Sequence, residues 1–420
     1  MIKKCIITLN IIALFFLSFL LFCSNNQQKL TIMPGIDSLH DSLAMKILNN
    51  KNIGIITNQT GVNSQGQSLA DIILADSSYH LAAIFSPEHG FYGTIEGGKE
   101  ISTNMHEKYQ CPIFSLYGKN RKPTRQMLQE IDVLLFDIQD IGARFYTYIS
   151  TMYYAMEAAA ENNIPFVVLD RPNPIGGYIV EGPVLKEGLE SFVGIKPIPL
   201  RHGMTVGELA LLFKGEKWYA SSSRATLHII PVSNWSREIV DAGETWINPS
   251  PNIGSLETAL LYPGMGLLEG TNLSEGRGTK HPFKYMGAPW LNHVVISKEL
   301  MKLDFDGISI DTVTYIPVDI PGAVVNPKYE GEVCKGLKFD VTDGTKFKSV
   351  AFATHVIALT KKVHPVEFQW SSELRIDRMA GNRLFRESID SGKAAVEVID
   401  IWNGDLAEFK KKREKYLLYH

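Results

Sequence analysis

The stretch Val133-Leu134-Leu135-Phe136-Asp137-Ile138-Gln139-Asp140-Ile141-Gly142-Ala143-Arg144 decides the fold. It opens as an unbroken apolar run of strand length and ends in two acids, an amide, a glycine and an arginine. Residues 147–161, rich in Ala and Met, follow with helical spacing. A second apolar run, 166–169, then ends in Asp170-Arg171-Pro172-Asn173-Pro174. Strand, helix, strand at roughly 30 residues per unit predicts a βαβ unit and a parallel sheet. Continuous apolar runs suit strands buried on both faces.

The same texture extends outward. Residues 53–57, 81–85 and 113–116 read as strands, and 42–48, 69–74 and 124–131 as helices. A further helix over 205–213 opens with Thr205 and carries Glu208 three residues on, a capping-box signature. Pro249-Ser250-Pro251-Asn252 breaks the pattern. A Gly-rich stretch, 264–278, follows, then strands at 307–315 and 337–341 and helices at 349–362 and 405–416. The expected fold class is α/β: a parallel-sheet domain over 30–253 and a second, smaller α/β domain over 254–420. At about 150 residues per domain, 420 residues accommodate this. A content of 45% hydrophobic and 21% charged residues excludes a disordered or coiled-coil chain. A net charge of -3 offers no basic footprint, so nucleic acid is not an expected partner.

Residues 1–22 read as a signal segment. Lys3 and Lys4 precede an apolar run over 6–22, and Cys23 follows it directly, as at a bacterial lipoprotein cleavage site. Phe22 stands where that pattern prefers a small residue, and the run is nearly long enough to be an uncleaved anchor. Either reading expects an exported, envelope-associated protein whose only membrane contact is this N-terminal lipid or anchor. Cys111 and Cys334 are expected to be buried free thiols.

Ligands bind outside the carboxyl ends of parallel strands. Polar groups crowd those ends here: Asn58-Gln59-Thr60-Gly61, Ser86-Pro87-Glu88-His89-Gly90, the acids of the opening stretch, and Asp170-Arg171-Pro172-Asn173. If the sheet is parallel, they converge on one edge. Taken singly, such residues also cap helices and make turns. Two further polar clusters are Arg201-His202-Gly203-Met204 and Glu269-Gly270-Thr271-Asn272-Leu273-Ser274-Glu275-Gly276-Arg277-Gly278-Thr279.

Several motifs fail. Residues 93–100 have P-loop spacing but place Glu100 where Ser or Thr would hold magnesium. No dinucleotide fingerprint, zinc motif or nucleophile elbow occurs, so no cofactor and no metal are expected. Asp137 and Asp140 together make only a weak cation signal. Carboxylates with amides, aromatics and arginines suit carbohydrate cleavage, in which one carboxylic acid protonates the leaving oxygen. Glu88, after an apolar strand and beside Pro87 and His89, fits that role. Tyr146, Tyr148 and Trp290 are expected either to stack on sugar faces or to pack in the core.

The strings around Glu88, over 136–148 and over 170–174, with Arg201-His202-Gly203-Met204-Thr205, Pro249-Ser250-Pro251-Asn252 and the 269–278 cluster, resemble the exo-β-N-acetylmuramidase (NamZ-type) family. The resemblance runs from about residue 54 to residue 419, nearly the whole mature chain. It implies a Rossmann-like domain joined to a smaller α/β domain, with the site in the cleft between. It implies release of N-acetylmuramic acid from the non-reducing ends of peptidoglycan fragments. Glu88 matches the family's cleft glutamate. The second catalytic group is expected among Glu275, Glu269, Asp137 and Asp140. Muramic acid carries a lactyl carboxylate, for which Arg144, Arg171 and Arg277 are candidates. Asn173, Asn252 and Asn272 are candidates for its N-acetyl group, and Asn58, His89, Tyr146, Tyr148 and His202 complete the expected substrate contacts. The competing expectations are a wall-binding lipoprotein without turnover, and another kind of peptidoglycan hydrolase.

Overall fold

The computed structural model describes residues 30–97, 104–241 and 246–420. The signal segment 1–22, Cys23 and the end of the P-loop-like stretch 93–100 lie outside the described residues. Along the chain come α1 (Ser42–Leu48), β1 (Asn52–Thr57), α2 (Leu69–Ala75), β2 (His80–Ser86), β3 (Asn104–His106), β4 (Cys111–Ser115) and β5 (Val133–Asp137). They are followed by α3 (Tyr148–Glu161), β6 (Phe166–Leu169), β7 (Glu181–Val184), β8 (Pro199–Arg201), α4 (Val206–Gly215) and β9 (Leu227–Ile230). One seven-stranded sheet has the order β3-β4-β2-β1-β5-β6-β9. Every pairing in it is parallel except β3 with β4.

Alternation along the strands divides the apolar residues between two cores. Ile56, Leu134, Phe136, Phe166 and Val168 join α3 and α4, through Ile149, Met152 and Leu209. Ile53, Ile55, Val133, Leu135, Val167 and Leu169 join α1 and α2, through Leu48, Leu69 and Ile73. Ser68 caps α2 by accepting from the Asp71 amide, and the Thr205–Glu208 capping box starts α4 as its spacing requires.

The rest of the chain adds α5 (Leu256–Met265), β10 (Tyr285–Ala288), α6 (His293–Met301), β11 (Ile308–Tyr315), β12 (Cys334–Val341), α7 (Ser349–Val363), α8 (Glu373–Ala380), α9 (Arg383–Asp390), α10 (Ala395–Asp400) and α11 (Asn403–Arg413). Strands β10, β12 and β11 form an antiparallel sheet in that order. Its inner residues Met286, Leu337 and Phe339, with Phe352 of α7, extend the core that holds α3. Residues 32–420 therefore form one compact unit. Cys111 and Cys334 are both buried and free.

The expected helix over 124–131 is absent; separate turns stand there, with the Leu128 amide bonding Thr124 O and Ile131 the Leu128 carbonyl. Helix α5 was missed because Pro263 reads as a stop, yet the helix runs through it. Its neighbour Gly264 permits close approach: a Cβ there would lie 1.9 Å from the Ser349 carbonyl oxygen.

One buried cation joins the early and late parts of the chain. Arg144, in the loop after β5, donates to Pro183 O at 2.8 Å, Ile198 O at 3.0 Å and Met379 O in α8 at 2.7 Å. Gly381 ends α8 at φ +76°, and a Cβ there would stand 2.5 Å from an Arg144 guanidinium nitrogen. Gly381→Val therefore meets both left-handed backbone strain and overpacking. It is expected to cost about 2–4 kcal/mol, read as a lowered thermal midpoint; an unchanged midpoint would refute this account of the joint.

Candidate functional site

The parallel register brings the strand ends together. Thr57 pairs with Asp137, Phe85 with Phe114, and Leu169 with Ile230. From β1 the chain steps outward to β2 and β4, then returns to the other side of β1 with β5, β6 and β9. The switch point at the ends of β1 and β5 is where an open α/β sheet forms a crevice. A cavity of about 650 Å³ is lined by residues of the loops after β2, β4 and β5 and by residues 250–277 and 372–379.

Glu88 lines this cavity and accepts a hydrogen bond from Thr147 Oγ1 at 2.7 Å. A tight turn places it there: His89 has φ +69°, Gly90 φ +79°, and the Gly90 amide bonds the Pro87 carbonyl at 3.1 Å. His89 Nδ1 lies 2.7 Å from Ile95 O. A carbonyl only accepts, so Nδ1 carries the proton and Nε2 is left as an acceptor. Burial lowers the His89 pKa despite the opposing pull of Glu88, so the ring stays neutral.

One wall is aromatic. Tyr146 and Tyr148 stand edge to face at 4.9 Å, and Tyr146 and Tyr262 at 5.9 Å. Tyr148 donates to the Pro249 carbonyl, and the Tyr146 hydroxyl is buried. Burial pushes all three phenols up. They are therefore protonated donors rather than nucleophiles. Charged residues also line the cavity. Glu269 accepts from Arg277 at 3.0 Å and from Arg375 at 3.3 Å, and Arg277 lies over the Phe283 ring at 5.3 Å.

Of the residues expected from sequence, Glu88, His89, Tyr146, Tyr148, Asn252, Glu269 and Arg277 line the cavity. The others do not. Glu275 is held by Lys328 at 2.9 Å. Burial alone would raise its pKa, but Lys328 and Arg277 outweigh that and keep it below the usual carboxylate range. A carboxylate held as an anion cannot be the proton donor. Asp137 is wholly buried, with its Oδ1 2.5 Å from Arg171 Nε. Asp140 accepts from the Gly142 amide and lies 3.6 Å from His202 Nε2. Asn58 closes its own turn through Thr60, and Asn173 bridges Ile175 N and Met204 O. Asn272 ties Glu367 O to Gln369 N. Arg144 and Arg171 are internal braces, not ligand contacts. Trp290 packs on His364 and donates to Tyr329. Among the described residues, no group of three or more His, Cys, Asp or Glu could hold a metal ion.

Sequence reasoning missed Glu96, Tyr262, Arg121, Arg375 and Arg378, all in the lining. Thr147 was legible as part of the Phe145-Tyr146-Thr147-Tyr148 string, but not as the partner of Glu88.

Comparison with known proteins agrees along the whole described chain. The family described as exo-beta-N-acetylmuramidase NamZ, N-terminal, matches residues 53–257, and the corresponding C-terminal family matches 260–419. The peptidoglycan beta-N-acetylmuramidase NamZ of Bacillus subtilis (strain 168) is 42% identical over 401 residues, covering 94% of each chain. A crystal structure of a DUF1343 family protein from Bacteroides fragilis superposes with a TM-score of 0.84 at 34% identity, covering 93% of this chain and 99% of that one. A second from the same organism gives 0.75 at 33% identity with the same coverage.

The brace role of Arg171 is testable. Arg171→Met leaves Asp137 buried without its cation and is expected to lower the unfolding free energy by about 3–5 kcal/mol. Urea titration measures this, and a loss below about 1 kcal/mol would contradict it.

Proposed function

Because this chain belongs to the exo-β-N-acetylmuramidase NamZ family, we propose that it is a glycoside hydrolase that removes N-acetylmuramic acid from the non-reducing ends of peptidoglycan fragments. The observation that carries the mechanism is Glu88, set by Thr147 in a cavity lined by aromatic and charged residues. Its carboxylic acid gives a proton to the glycosidic oxygen as the bond to the anomeric carbon breaks. Water then adds to that carbon, and its proton returns to Glu88. Tyr146, Tyr148 and Tyr262 supply flat apolar surface for the sugar ring. Glu269 is the remaining expected carboxylate in the lining, paired with Arg277 at 3.0 Å and Arg375 at 3.3 Å. His89, neutral, offers Nε2 as an acceptor, and Asn252 keeps its amide oxygen for the N-acetyl N–H while its Nδ2 donates to Ala323 O at 2.8 Å.

Export fits this substrate, since peptidoglycan lies outside the cytoplasmic membrane. Lys3, Lys4, the apolar run and Cys23 support an envelope lipoprotein anchored through Cys23. Labelling of cells with a fatty-acid analogue is expected to mark the protein, and Cys23→Ser to abolish the label; label retained by the variant would reject the anchor.

The activity is tested with a synthetic β-N-acetylmuramide beside the matching β-N-acetylglucosaminide. Hydrolysis of the muramide alone is expected. Glu88→Gln should lower kcat/KM by about 10²- to 10⁴-fold while binding of free N-acetylmuramic acid persists. Binding without turnover in the wild type would instead make this a wall-binding protein.

A further inference from the structure

The arginines at the cavity differ in what already holds them. Arg277 is held by Glu269 at 3.0 Å and lies 3.9 Å from Glu275. Arg375 is exposed and paired with Glu269. Arg121 is exposed and stacked on the Phe192 ring at 4.7 Å. Arg378 is half-buried and makes no hydrogen bond or ion pair among the described residues; its Nε is cut off from solvent without a partner. The acid beside it in sequence is engaged elsewhere, since Asp377 accepts two bonds from Arg386 at 2.9 and 3.1 Å. A partly desolvated guanidinium with no anion is costly unless a ligand supplies one.

Its position is also rigid. Ser372 caps the start of α8 by accepting from the Arg375 amide at 3.2 Å. Gly381 ends the helix, and the Met379 carbonyl is gripped by Arg144. Arg378 lies one turn beyond Arg375, and residues three apart share a helix face. Arg375 bonds Glu269, and both Glu269 and Glu88 act on the buried Tyr262 phenol. The unpaired cation thus stands one helical turn from Arg375 and its Glu269 partner.

We propose that Arg378 binds the lactyl carboxylate of the muramic acid residue and so selects muramides over glucosaminides. This rests on the muramidase reading and assigns its specificity to a residue other than Glu88. A planar guanidinium matches a carboxylate in a bidentate manner. Arg277 is a poorer candidate, because a ligand carboxylate there would join two carboxylates already beside it.

The test compares wild type, Arg378→Gln, Arg378→Lys and Arg121→Gln on the β-N-acetylmuramide and on the same muramide with its lactyl acid converted to the amide. Arg378→Gln should raise KM for the acid roughly 10- to 100-fold and leave the amide unchanged. Arg378→Lys should recover part of that loss, and Arg121→Gln should keep the wild-type preference. The wild type should itself prefer acid to amide by a similar factor, which requires no variant to fold. Equal losses on both substrates, or loss of preference only in Arg121→Gln, would overturn the assignment. If the wild type hydrolyses neither compound, the muramidase reading fails. Calorimetry of free N-acetylmuramic acid against N-acetylglucosamine then still decides Arg378: a preference for the acid that Arg378→Gln abolishes supports it, and a preference that survives overturns it.

Discussion

A guanidinium buried without a carboxylate sets the geometry of this protein. Arg144 is wholly inside, and its donors meet carbonyls from three separate segments, Pro183, Ile198 and Met379. Burying a charge is expensive, so this arrangement persists only where charge-assisted bonds offset the lost hydration. The effect is positional. Arg144 immediately precedes the Phe145–Tyr148 string that forms the aromatic wall, and Met379 belongs to the helix that carries Arg375 and Arg378. One side chain therefore ties the aromatic string to the helix that carries Arg375 and Arg378. Arg201 repeats the device, donating to Phe347 O and Ile175 O beside Glu181.

The division of labour within the cleft follows from solvation. Its aromatic wall is apolar with hydroxyl tips, and burial keeps those tips protonated. The charged part of the lining pairs Glu269 with both Arg277 and Arg375 and leaves Arg378 without a partner among the described residues. Glu88 belongs to neither group. It comes from the end of a central parallel strand, and the Thr147 hydroxyl donates to it at 2.7 Å, which fixes the direction of its carboxyl group.

Much of this was legible beforehand, element by element. The runs at 53–57, 81–85, 133–137 and 166–169 appear as β1, β2, β5 and β6 because fully buried parallel strands must be continuously apolar. The segment at 124–131 has helical spacing but forms separate turns. β9 was passed over because four half-buried residues carry little pattern.

Sequence alone determined which strands are parallel, where their carboxyl ends lie, and that Glu88 sits at one of them. Those features depend on local periodicity and on chain direction, which the order of residues encodes. Tertiary structure alone decided which polar residues at those ends face the cavity. Asp137, Arg144, Arg171 and Asn173 have the same composition and loop context as Glu88 and Asn252, yet they turn inward to satisfy buried carbonyls, amides and one another. Whether a guanidinium braces the fold or meets a ligand depends on partners more than a hundred residues away, as with Arg144 and Met379, and no local pattern records them.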